Sequence, residues 1–150
     1  MKKLICIAML AVGALLLTAC SAREPITAEE FVARMEGAGH SVVDATYDYD
    51  IPGMVRLMVG YAYEFYVEFI VWETDEQART QFQAVRRIFE NNRANTVSYR
   101  STDTARVNRL TQTTGGRFDA VVRIENTLLV INTGSNLRTE AQGILELLGY

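Results

Sequence analysis

Apolar and polar positions change period several times along the chain, and each change predicts an element. Ala28, Phe31, Val32 and Met35 recur at helical spacing behind Thr27-Ala28-Glu29-Glu30, in which Thr27 and Glu30 can form a reciprocal N-terminal capping box. Gly37 or Gly39 ends this helix. The next stretch has period two, with Val43, Ala45, Tyr47 and Tyr49 on one side. Asp44, Thr46, Asp48 and Asp50 take the other side, and Ile51-Pro52-Gly53 closes the strand. Residues 54–59 and 63–73 read as the arms of a hairpin turning at residues 60–62. In its second arm Phe65, Val67, Phe69 and Val71 share one face, while Glu64, Tyr66, Glu68, Ile70 and Trp72 share the other.

Thr74-Asp75-Glu76-Gln77 is a second capping box, followed by an apolar stripe of Ala78, Phe82, Val85, Ile88 and Phe89. Short strands are predicted at residues 96–100 and 106–113, with a turn at Thr114-Gly115-Gly116. Phe118, Ala120, Val122 and Ile124 then alternate with Asp119, Val121, Arg123 and Glu125. Glu125-Asn126 turns the chain into a strand at residues 128–132. Leu137, Ala141, Ile144, Leu145 and Leu148 make a last helical stripe, with Gly149 placed to end it. The order is α-β-β-β-α-β-β-β-β-α. Runs of adjacent strands with short connections predict an α+β domain: an antiparallel sheet with its helices packed on one face.

Ahead of this domain stands a different kind of segment. Met1-Lys2-Lys3 is a short positive head, and residues 4–17 carry no charge. These fourteen residues would span about 21 Å as a helix, short of a ~30 Å hydrocarbon core. Head and apolar run have the form of a secretory signal. Leu17-Thr18-Ala19-Cys20 resembles the lipobox of bacterial lipoproteins at all four positions. That resemblance implies cleavage before Cys20, diacylglycerol on its sulfur and a further acyl chain on the new N-terminus. Two or more chains make a stable anchor where one is marginal. The chain then divides into a signal peptide (1–19), a lipidated tether (20–26) and one domain (27–150). The domain pattern is also loosely similar to small extracytoplasmic lipoproteins of Gram-positive bacteria, a resemblance that carries no catalytic motif.

Composition narrows the chemistry. Cys6 belongs to the leader and Cys20 to the anchor, so the mature monomer has no cysteine pair for a disulfide. Lys2 and Lys3 are the only lysines; the 13 basic residues left in the mature chain are all arginine, against 18 acidic ones. A body with a net charge of about −5 is a poor electrostatic partner for nucleic acid or anionic lipid. An all-arginine basic set fits either bidentate recognition of carboxylates or codon bias.

Few residues invite catalysis. His40 is the only histidine and lacks a nucleophile elbow or oxyanion loop; after Gly39 it is placed to cover the end of the first helix. Asp44, Asp48 and Asp50 are weak candidates for Ca²⁺, because they lack the glycine-containing loop of an EF-hand. Glu64 and Glu68 would lie ~13 Å apart on one strand, too far for a glycosidase pair. No cofactor is implied. Tyr66, Ile70 and Trp72 are the candidate ligand-binding residues, on the sheet face away from the helices. A second small core is the alternative for them. The expected protein is a non-catalytic, lipid-anchored envelope domain on the extracytoplasmic side of a membrane. Its partners would be the membrane itself and an envelope protein, peptide or glycan. An envelope hydrolase and a structural accessory are the alternatives.

Overall fold

The computed structural model describes residues 23–92 and 95–150; the leader and Cys20 lie outside the described residues. The chain folds as an α+β domain. Its elements are α1 (Ala28–Gly37), β1 (Ser41–Asp44), β2 (Met54–Ala62), β3 (Phe65–Trp72) and α2 (Asp75–Asn91), then β4 (Ser98–Asp103), β5 (Val107–Thr113), β6 (Arg117–Ile124), β7 (Thr127–Gly134) and α3 (Arg138–Leu148). The seven strands form one sheet in the order β1-β2-β3-β7-β6-β5-β4, and every neighbouring pair is antiparallel. Among the described residues, no helix is long and apolar enough to cross a membrane.

The helix ends follow from their sequences. The Thr27 hydroxyl accepts from the Glu30 amide at 3.1 Å, and the Glu30 carboxylate accepts from the Thr27 amide at 2.8 Å. Thr74 and Gln77 repeat the arrangement at the start of α2. Each box satisfies two amides that a helix start leaves unpaired. Gly149 takes φ +81° at the end of α3, which lets the Tyr150 amide reach back to the Leu145 carbonyl at 2.8 Å.

Two local readings need correction. The strand expected through Asp50 stops at Asp44, whose carboxylate accepts from both the amide and the hydroxyl of Thr46. Such a side-chain bond two residues ahead competes with strand pairing, and residues 46–48 form a single 3-10 turn. The β2–β3 turn is at Tyr63-Glu64, with Tyr63 at φ 54°, and not at residues 60–62. Gly60 instead remains inside β2 because α1 lies against it: a Cβ there would meet Met35 Cε at 2.7 Å.

Placement of the helices is the third difference. α1 and α3 cover one sheet face, where Phe31, Met35, Ile144, Leu145 and Leu148 pack on Phe65, Val67, Phe69, Phe118, Val122 and Ile131. α2 covers the opposite face, with Ala78, Phe82 and Phe89 against Trp72, Leu110, Val121 and Leu128. The one-face expectation therefore holds for α1 and α3 and fails for α2. Topology supplies the reason. From β3 to β4 the chain must pass three strands to the far edge, four inter-strand spacings or about 19 Å at ~4.8 Å each. The 17 residues of α2 reach about 25 Å, enough to carry the chain across a face that α1 and α3 leave open. Central strands buried on both sides need apolar residues in both alternating sets, and β3, β6 and β7 have them.

Among the described residues, both apolar layers are built from residues at or beyond Ile26. The last residue of the chain belongs to the core: Tyr150 lies edge-on to Phe69, and its hydroxyl is 2.7 Å from that of Thr127. Burial pushes its phenol pKa up to about 12.

Candidate functional site

The three aromatic-face candidates do not share one open surface. Trp72 is 3 % exposed beneath α2, and Ile70 is half-buried beside it. Tyr66 is exposed, opposite Tyr61 at the end of the sheet that α2 leaves uncovered. The exposed face expected at Ile70 and Trp72 is thus a second core, closed by a helix rather than by sheet curl. Glu68, half-buried between Tyr66 and Ile70, has its carboxyl pKa raised by burial.

The other candidates are also dispersed. Asp44 is held by Thr46 and by Arg56 at 2.9 Å, while Asp48 and Asp50 follow in and beyond the 3-10 turn. The Thr46 hydrogen bonds, with Arg56 contributing, lower the Asp44 carboxyl pKa. Among the described residues, no three His, Cys, Asp or Glu side chains gather as a metal site. The His40 ring packs on Tyr63, with centroids 5.3 Å apart, while its amide donates to the Met35 carbonyl.

A different site is built at the opposite edge of the sheet. On the α1/α3 face, apolar residues give way to polar ones from β6 outward. β6 presents Phe118, Ala120, Val122 and Ile124; β5 presents Val107, Arg109, Thr111 and Thr113; β4 presents Ser98, Arg100 and Thr102. Helix α3 packs inboard, mainly on β7, and leaves the outer hairpin uncovered. The step between helix and hairpin is a groove of about 250 Å³. Its helical side carries Arg138 and Gln142, one turn apart on α3. Its floor carries Arg109, Thr111 and Phe118, and its outer side Ser98, Arg100 and Thr102.

Three arginines converge there with no ion-paired carboxylate among the described residues. None of Arg100, Arg109 and Arg138 makes a side-chain hydrogen bond or ion pair within the described residues. This contrasts with Arg56, Arg86, Arg106 and Arg117, each held by a carboxylate. Burial lowers the Arg109 pKa, and the charges of Arg23 and Arg100 lower it further against the opposing pull of Glu146. Arginine nevertheless stays cationic at neutral pH, so Arg109 holds a partly desolvated charge beside like charges. An anion with two or more oxygens would relieve that repulsion through paired N–H···O bonds. Ser98, Thr102, Thr111 and Gln142 add neutral hydrogen-bonding groups around it.

The all-arginine basic set was the only sequence signal for this site. Arg100 and Arg109 lie in short polar strands, and Arg138 opens a helix in the position of an ordinary solvated residue. Only the β4–β5 register, which sets Arg100 opposite Thr111 and Arg109 opposite Thr102, brings them together beside α3.

Fold and groove define a class: an antiparallel-sheet domain layered by helices on both faces, with a basic cleft at one sheet edge. No family model and no curated protein sequence matches the chain. Among solved structures, the crystal structure of a GTP binding regulator from Thermotoga maritima is similar at a TM-score of 0.45 and 12% identity, over 83% of this chain and 91% of that one.

Proposed function

We propose that this chain is a lipid-anchored protein of the cell envelope whose domain binds an anionic ligand in the arginine groove without transforming it. One observation carries the binding reading: Arg100, Arg109 and Arg138 converge on one small groove with no hydrogen-bonded or ion-paired carboxylate among the described residues. The lining also favours binding over chemistry. Arginine, serine, threonine and glutamine hold and orient an anion, and none of them ordinarily exchanges a proton near neutral pH. The anchor reading rests on Leu17-Thr18-Ala19-Cys20.

Ligand-induced stabilisation tests the binding. An anion held at ten times its Kd adds about 1.4 kcal/mol, or about 3–6 °C in Tm for a domain of this size. Inorganic phosphate or citrate should produce such a rise in the wild type, and Arg109→Gln should remove it. No rise with either anion, or the same rise in the variant, would contradict the groove as the site. For the anchor, radiolabelled palmitate should enter the wild-type chain and not Cys20→Ser.

A further inference from the structure

The arginine lining of the groove, taken with the short segment that leads toward Cys20, points to a class of ligand. Arg23, the first described residue, is close enough to Arg109 for its charge to act on it. At ~3.5 Å per residue, at most about 11 Å of chain separates Arg23 from Cys20. A groove reached by so short a lead from a lipidated residue would face headgroups rather than bulk solution. Resting on the reading of Cys20 as the anchor and of the groove as an anion site, we propose that Arg100, Arg109 and Arg138 seat the phosphate of an anionic membrane-lipid headgroup. The domain is then held at two points, by its own acyl chains and by a lipid of the surrounding leaflet.

The size and lining of the groove suit this ligand. About 250 Å³ admits a phosphate and a few attached atoms, and the lining is largely polar, so acyl chains stay in the bilayer. Guanidinium forks match phosphate oxygens in pairs, while Ser98, Thr102, Thr111 and Gln142 can meet headgroup hydroxyls. The acidic net charge of the body does not oppose the contact strongly. At physiological salt, charges beyond ~8 Å are largely screened, so the local arginines, with Glu146 opposing them at Arg109, dominate the potential there. A whole-chain charge count averages this cluster away.

Vesicle co-sedimentation separates the possibilities. The chain from Ser21 onward has no acyl anchor but keeps the whole described fold, so any binding comes from the protein surface. It should sediment with vesicles of mixed phosphatidylglycerol and phosphatidylcholine and remain in solution with phosphatidylcholine alone. Arg109→Gln and Arg138→Gln should each lower the bound-to-free ratio roughly five-fold, the factor one basic residue adds at an anionic surface. Arg87→Gln removes an exposed charge on α2, the far side of the sheet, and should leave binding unchanged. Their melting temperatures should match the wild type, because the Arg109 and Arg138 side chains make no hydrogen bond or ion pair among the described residues. Equal sedimentation with both vesicle types, or an equal loss from Arg87→Gln, would overturn the proposal. If inorganic phosphate raises Tm through Arg109 but mixed vesicles do not bind, the headgroup proposal fails and the anion groove stands. If neither binds, both fail.

Discussion

Trp72 sits under α2 with Leu110, Val121 and Leu128 around it, and its indole N–H has no hydrogen-bond partner among the described residues. A buried donor left unpaired costs about 1–3 kcal/mol, and the apolar contact of the ring must outweigh it. Trp72→Ala should therefore destabilise by about 3–5 kcal/mol, as emptying a large aromatic site does. Tryptophan emission should be blue-shifted and poorly quenched by acrylamide. Denaturant melts and quenching on the chain from Ser21 check both. A loss below half a kcal/mol with readily quenched emission would place Trp72 in solvent. The groove arginines are opposite in kind. Arg109 makes no side-chain hydrogen bond or ion pair among the described residues, so its loss should leave the melt alone and remove binding.

At the scale of elements, the sheet separates two apolar layers that stabilise it independently. Phe82 of α2 and Leu145 of α3 are both fully buried, on opposite faces. Phe82→Ala should cost about 3–5 kcal/mol and Leu145→Ala about 2–5 kcal/mol. Without a shared cavity the losses should add. Their sum approaches the whole stability of an ordinary domain, about 5–15 kcal/mol, so the double variant should be largely unfolded at room temperature. A double variant no weaker than the worse single one would show that the two layers are one coupled core. The capping residues Thr27 and Thr74, the helical stripes apart from the exposed Ile88, and the order of elements along the chain were legible in the sequence because local chemistry decides them. The face taken by α2 was not. A strand apolar on both sides reads as one core face and one open face until the route from β3 to the far edge is known. Asp44 and Gly60 misled for related reasons: a side-chain turn ended one strand, and helix contact, not a bend, explains the glycine.

Across the described residues, seven strands outrun the three helices that cover them, and each side keeps an uncovered end. Beyond α2 stand Tyr61 and Tyr66; beyond α3 stand Arg100 and Arg109. Among the described residues the arginine end combines charge without a carboxylate partner, a bounded groove and the nearby Arg23, and it is the proposed binding end. Arginine side-chain NMR during a phosphate titration tests that claim most directly. The Nε–Hε resonances of Arg100, Arg109 and Arg138 should shift together along one saturating curve, while those of Arg56, Arg86 and Arg106, already held by carboxylates, stay in place. Shifts spread over all arginines, or absent from Arg109, would contradict it.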